Sequence, residues 1–456
     1  MRLQVNVDGL RLYKSSNIEF WPTLGKIFNN PDVYEPFTIA VHCGVGKPKC
    51  AEIYFEDFVK EANKLTREGF IVDGKHFKFE IMCFLCDKPA RSFCKLVKGH
   101  TGYYACERCI VHGTRIGNRM TFPTLFDPKR THESFINLEN IEHHIGISPL
   151  IKLLSCNMIT KFILDFMHLG WLGVQHKQLD LWTCHPQFKL SSSCISKMSR
   201  RLKNIAKQVL CEFQRTTKSM DEIPNWKATE HKFFATYSGP FILKDILPDH
   251  LYKCFLLFFV ACRILHSDEL CLLYVDTAEQ YFIKFIQLCS SFYGPEILVY
   301  NFHALSHVCQ DVRNFKCSLS RINCFSFENL LGKIRKFIRT GNEPLKQFCN
   351  RHAELEEFSV KKPQLPTVIE VLSKKRINGH GPCFVKKIKY INCILIIKNP
   401  DNIALMKNKN FIQINRIYSF NEFNCADNIF IDGEILNVNE TEAFTYPTNA
   451  SDLDIY

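Results

Sequence analysis

No stretch of this sequence is apolar for long enough to cross a bilayer. The longest run, residues 254–265, is roughly 12 residues long and is interrupted by Arg263, so it reads as a buried helix. No secretory leader is visible in the sequence either: residues 1–7 have the character of a strand, with no charged segment running into an apolar one. Internal repeats and low-complexity tracts are absent. The 22 cysteines lack the compact spacing of a small secreted scaffold, so they read as buried thiols and metal ligands rather than a disulfide framework. The chain is therefore expected to be intracellular, with no membrane partner. Acidic residues are outnumbered 46 to 58 by basic ones, and the resulting charge of +12 leans mildly towards polyanionic partners.

What is present is enough chain, 456 residues, for two or three domains. Residues 3–10 alternate apolar and polar side chains and end on Asp8-Gly9. Residues 18–24 and 37–43 are further strands. Residues 51–68 have helical periodicity, with Gly69 as the stop. Residues 78–85 form a strongly apolar strand that delivers Asp87, and 88–98 read as a helix. Three strands, a helix, a strand and a helix is the order in which an RNase H-like fold opens. From 115 to 320 the pattern is mainly helical, including 150–182, 196–213, 251–265 and 277–293, with an irregular polar stretch at 121–144. Residues 325–339 form a helix carrying Glu328 in its first turn, and 363–366 break the helical part. Beyond residue 368, β-branched residues alternate with Asn, Asp and Gly, and strands are expected at 382–397, 411–418 and 428–438.

The fold class expected is thus α+β: an RNase H-like catalytic core from residues 1–114 and 321–362, a large helical insertion over 115–320, and a small all-β domain over 363–456.

Two sets of residues carry chemistry. Cys106 and Cys109 form a Cys-x2-Cys pair, half of a tetrahedral zinc site. A second such pair, Cys83 and Cys86, sits in an apolar run and reads as buried strand. His303 and His307, one helical turn apart, would complete a Cys2His2 zinc site that closes a very long loop; the plain alternative is an ordinary histidine pair. Asp8, Asp87 and Glu328 are acids on separate elements, as two-metal phosphodiester cleavage with Mg²⁺ or Mn²⁺ requires. Singly they have plainer readings: a turn, a helix N-cap and a first-turn acid favoured by the helix dipole.

Asp165 and His168 are a further pair, expected on one helix face, with Gly170 and Gly173 allowing close backbone approach. They would touch DNA or the acids, or make a structural hydrogen bond. Lys333, Arg335, Lys336 and Arg339 follow Glu328 as a basic helix face suited to a DNA backbone, or simply solvated.

Five blocks in order carry a family resemblance: NVDGLRLYKSSNIEFWPTLG, FLCDKPARSFCKLVKGHTGYYACERC, LDFMHLGWLG, NFHALSH and FSFENLLGKIRK. Over roughly residues 1–360 the chain resembles the CACTA-like DDE DNA transposases. The resemblance implies that Asp8, Asp87 and Glu328 are the catalytic acids and that Cys106, Cys109, His303 and His307 hold zinc. Asp165 and His168 match the family's Asp-x2-His element. A similar Cys-x2-Cys and His…His arrangement occurs in the catalytic subunit of the V(D)J recombinase. Family members usually carry an extension before the Asp-Gly strand, whereas Met1 here lies almost on it, as in a partial gene model, a decayed copy or a domesticated derivative. The implied activity is metal-dependent cleavage and strand transfer at transposon ends, on duplex DNA in the nucleus, with self-association allowed for. Two alternatives stand beside it: a domesticated DNA- or chromatin-binding protein without catalysis, and a zinc-stabilised scaffold that binds only proteins.

Overall fold

A computed structural model describes residues 1–13, 17–358, 369–375, 383–390, 393–406, 408, 410–419, 429–436 and 443–453. The chain is mixed α and β, with a small sheet at its C-terminal end. It divides into two compact units, residues 1–174 with 261–363, and residues 175–260 with 364–456. The expected helical insertion is thus shared between them. The expected break at 363–366 lies outside the described residues.

The chain opens with β1 (Arg2–Val7), a two-residue β2 (Leu10–Arg11), β3 (Ile18–Phe28), β4 (Phe37–Val45) and α1 (Ala51–Glu68). A small hairpin, β5 (Phe70–Val72) and β6 (Lys75–Phe77), leads to β7 (Glu80–Cys86) and α2 (Lys88–Lys95). A second hairpin, β8 (Thr114–Ile116) and β9 (Arg119–Thr121), and a short α3 (His132–Ile136) precede β10 (Phe162–Leu164). Helices then dominate: α4 (His176–Thr183), α5 (Ser192–Ala206), α6 (Ala228–Phe233), α7 (Gly239–Leu243), α8 (Asp249–His266), α9 (Val275–Tyr293), α10 (Tyr300–Phe315), α11 (Phe325–Phe337) and α12 (Pro344–Phe358).

In the first unit β1 is central. It pairs in parallel with β7 and antiparallel with β3; β10 runs parallel on the far side of β7, and β4 antiparallel on β3. Leu3, Val5 and Val7 point into one core with Phe55, Phe58 and Val59 of α1 and Phe93 of α2. Burial of each Phe contributes about 2–3 kcal/mol. The opposite face of β1 is polar yet buried: Gln4 Nε2 donates to the Arg321 carbonyl at 2.9 Å and Asn6 Nδ2 to the Leu85 carbonyl at 2.7 Å, while Asn6 Oδ1 has no hydrogen-bond partner among the described residues. β7 is apolar on both faces, Cys83 and Leu85 as well as Phe84 and Cys86, because both faces are covered. α1 ends at Gly69, whose φ is 67° and whose missing Cβ would lie 2.4 Å from the Phe77 carbonyl oxygen.

Residues 150–182 depart from the expected continuous helix. They contain the short strand β10 and, after it, a π-helical segment, Met167–Gln175, that leads into α4. A three-residue strand covered on both faces has no alternation to separate it from a buried helix.

In the second unit, β11 (Ile369–Lys375), β12 (Cys383–Tyr390), β13 (Cys393–Ile396), β14 (Ile403–Leu405), β15 (Phe411–Ser419) and β16 (Phe430–Leu436) form an antiparallel sheet. Val385, Ile388, Ile414 and Ile417 fill its small core. In place of the strand expected over 382–397 there are two antiparallel strands, β12 and β13, with Tyr390 opposite Cys393.

Candidate functional site

Three neighbouring parallel strands end in aspartate. Asn6 of β1 pairs with Leu85 of β7, and Asp8 and Asp87 each lie two residues further on. Leu164 of β10 pairs with Cys86, and Asp165 and Asp87 each follow by one. Glu328 lies in the first turn of α11. That helix start is fixed from the sheet: Asp165 Oδ1 accepts from the Cys324 amide at 2.9 Å, and the Glu328 amide donates to the Cys324 carbonyl at 2.9 Å. The plainer roles of two acids are also real. Asp87 caps α2, accepting from the Ala90 amide at 2.7 Å, and Asp8 accepts from the Gly9 amide at 2.7 Å.

Like charges crowd this edge. Burial, then repulsion by Asp87 and Glu328, pushes the Asp8 carboxyl up to about 8, against relief from His168 and the Gly9 amide. Burial raises Glu328 as well, opposed first by His168 and then by a hydrogen bond to Asp8. Among the described residues the oxygens of Asp8, Asp87 and Glu328 do not form one group within 4.8 Å.

His168 faces these acids directly. Its Nδ1 is 2.8 Å from Asp165 Oδ2, and its Nε2 is 3.6 Å from Glu328 Oε1. Burial disfavours the imidazolium, but the hydrogen bond and charge of Asp165, with Glu328 and Asp87 behind, win and push His168 up to about 9. Asp165, itself 1% exposed, thereby fixes which ring nitrogen faces the site. The two residues do not share a helix face as expected: Asp165 ends a strand, and His168 stands in the first turn of the π-helical segment. The close approaches expected at its glycines are present. A Cβ at Gly170 would lie 2.1 Å from the Phe166 ring, and one at Gly173 would lie 2.3 Å from Asn301 Nδ2.

The second cluster is closed. Cys106 Sγ lies 3.5 Å from His307 Nε2, Cys109 Sγ lies 3.3 Å from His303 Nε2, the two sulfurs are 3.4 Å apart and the two imidazole nitrogens 3.2 Å. A zinc tetrahedron with ordinary bond lengths has S–S, S–N and N–N edges of about 3.8, 3.6 and 3.3 Å, so these atoms surround a zinc-sized space. The sulfurs are too far apart for a disulfide. All four residues are buried, and the cluster joins positions 201 apart in sequence. Burial opposes ionisation of Cys106, but the Cys109 thiol and both imidazoles outweigh it and hold its thiol well below the usual range. The donor set suits zinc. His303 and His307 lie on one face of α10, as their spacing predicts.

The residues between the two cysteines are buried ion partners that sequence reasoning missed. Glu107 meets Arg91 at 2.6 Å, Lys88 at 3.4 Å and Lys95 at 4.0 Å, all from α2, and accepts from Tyr300 at 3.2 Å. Arg108 binds Asp311 at 2.7 Å and the Phe162 carbonyl at 2.7 Å, while Asp311 also accepts from the Leu164 amide. The zinc-type loop is therefore pinned to α2, α10 and β10 together.

Lys333, Arg335 and Lys336 are exposed on α11, but they do not make one face. Lys333 and Arg335 flank the buried stripe of Phe327, Leu331 and Ile334, and Arg339 lies past the helix end. Lys333 Nζ is 3.6 Å from Glu35. No helix among the described residues is long and apolar enough to cross a membrane. Compared with known protein families and with curated proteins, the chain matches none.

Proposed function

We propose that this chain is a metal-dependent DNA nuclease of the DDE transposase type, acting in the nucleus on duplex DNA by hydrolysis at a transposon end and strand transfer from the freed 3′-OH. The observation that carries the reading is the delivery of Asp8 and Asp87 from adjacent parallel strands to the edge where α11 brings Glu328. The sheet order β4–β3–β1–β7–β10, antiparallel on one side of β1 and parallel on the other, supports an RNase H-like core.

Asp8, Asp87 and Glu328 would hold the divalent ions, and three crowded carboxylates on separate elements suit hard cations with oxygen ligands. Two bound Mg²⁺ or Mn²⁺ ions would supply Lewis-acid activation of the attacking and leaving oxygens. His168, charged and aimed by Asp165, adds a fixed cation on the same edge for a phosphate oxygen. Exposed Lys333, Arg335 and Lys336 supply salt-sensitive backbone attraction.

Nicking of duplex and pre-nicked DNA in Mg²⁺ and in Mn²⁺ tests this. Glu328→Gln should lower the rate at least about 100-fold and leave DNA binding intact, because the amide keeps the shape but loses the metal-holding charge. Neutralising Lys333, Arg335 and Lys336 should weaken binding and flatten its salt dependence. Binding without cleavage, even in Mn²⁺ on pre-nicked ends, would replace this reading with a domesticated DNA-binding protein. Neither binding nor cleavage by folded, zinc-loaded protein would favour a protein scaffold.

A further inference from the structure

A cleft of about 390 Å³ opens beside the acids. Asp87 and His168 line it, together with residues 118–120 at the tip of the β8–β9 hairpin and residues 299–301 at the start of α10. An occupant would therefore border both the acid edge and the zinc-type cluster's surroundings. Phe122, the residue after β9, ties the hairpin to that cluster. Its amide donates to the Leu298 carbonyl at 2.7 Å, and its ring packs 5.7 Å from the His303 ring.

The lining has the composition of a small-ligand site: apolar walls with a few converging polar groups. Pro89, Met120 and Val299 supply the walls. Arg119, Asn118 and Asn301 supply the polar groups, and among the described residues none of these three side chains has a hydrogen-bond or ion-pair partner. Lys88, by contrast, is already committed to Glu107 and to the Lys98 carbonyl. The Asn301 amide packs against Gly173, where a Cβ would lie 2.3 Å from its Nδ2. One guanidinium for a phosphate, two carboxamides for the edge of a base and an apolar slot for its faces describe a nucleotide site.

We propose that this cleft receives a single unpaired nucleotide of the DNA strand that crosses the acids, next to the phosphate being cut. Its base lies between Pro89 and Met120, and its phosphate faces Arg119. A base already unpaired enters at the least cost, since nothing has to be unstacked or unpaired for it. The assignment rests on the nuclease reading.

The test compares two probes: a fully paired duplex, and the same duplex with one unpaired 5-iodouracil nucleotide beside a nick. Wild-type protein should bind the second more tightly. On irradiation, the cross-link should map to the peptides carrying Met120 or Val299. Arg119→Ala, at an exposed hairpin turn, should weaken binding of the unpaired probe about tenfold and leave the paired duplex unchanged; Asn118→Ala is the second variant, read the same way, should the first melt early. Equal effects on both probes, no effect on either, or cross-links outside the cleft while DNA is bound would overturn the cleft assignment and spare the nuclease reading. No binding of either probe by folded wild-type protein would overturn both.

Discussion

The Cys2His2 cluster and the acidic edge are both built from metal-type side chains in the same unit, but on opposite principles. In the cluster every ligand is buried, and the ligand atoms of its hydrogen-bonded pairs lie 3.2–3.5 Å apart. Its loop charges, Glu107 and Arg108, are answered by buried partners. At the edge, three half-buried acids face one imidazolium, their oxygens do not close into one group within 4.8 Å, and a cleft opens beside them. A site that only holds the fold together closes its charge account internally. A site meant for something external leaves charge unbalanced and a way in.

The largest expected effect lies on the closed side. Purified protein should contain about one zinc per chain, and Cys106→Ser or His307→Ala should lose it and cost about 4 kcal/mol or more. Unchanged zinc content in both variants would break the comparison. Next comes Glu107→Gln, which leaves Lys88, Arg91 and Lys95 without a counter-charge. Denaturant titration should show a loss of about 3–5 kcal/mol. Lys95 trims that loss, since burial pushes it down to about 7 and it can shed its proton. A cost below about 1 kcal/mol would mean that the cluster does not depend on its buried ion partners.

The open side should respond with smaller and opposite sign. Asp8 is pushed from 3.8 to about 8 in the fold. A raised folded value means the stabilising, protonated form is fully present below about pH 4 and is lost as pH climbs through 8. Asp8→Asn removes that loss. In chelator it should melt about 2–4 °C above wild type at pH 9 and level with it at pH 4. Mg²⁺ should raise the melting point of wild type more than that of the variant. A variant less stable at pH 9 would show that the edge is not strained by its own charge. Smallest of all, neutralising Lys333, Arg335 and Lys336 should change stability by no more than about 0.5 kcal/mol, since all three are exposed.

Much of this was legible in the residues. The alternation of β1, the 51–68 periodicity and the apolar strand before Asp87 all fall on observed elements. The zinc-type cluster was legible because both of its halves have local spacings that mean something: two thiols three apart, and two imidazoles one helical turn apart. β10 was not, because three residues buried on both sides carry no period; with it went the true setting of Asp165, a strand end whose carboxylate anchors α11. Glu107 and Arg108 were not legible either, since nothing local reveals that α2 and α10 close over them. The β5–β6 hairpin had a usable signal in Asp73-Gly74, both at positive φ, which is the two-residue turn such hairpins favour.

The bond from Gln4 to Arg321 spans 317 positions, and the last acid comes later still, at residue 328. During synthesis, β1 is therefore the first strand made and among the last to be completed. A nascent chain carries Asp8, Asp87 and Asp165 for a long stretch of translation without Glu328 beside them. On the nuclease proposal, the reaction at this edge would be withheld until the chain has grown past Phe337. Such remote closure also makes for slow folding. On the nuclease proposal, a prematurely released fragment ending anywhere before α11 would be inert, however well its strands have paired.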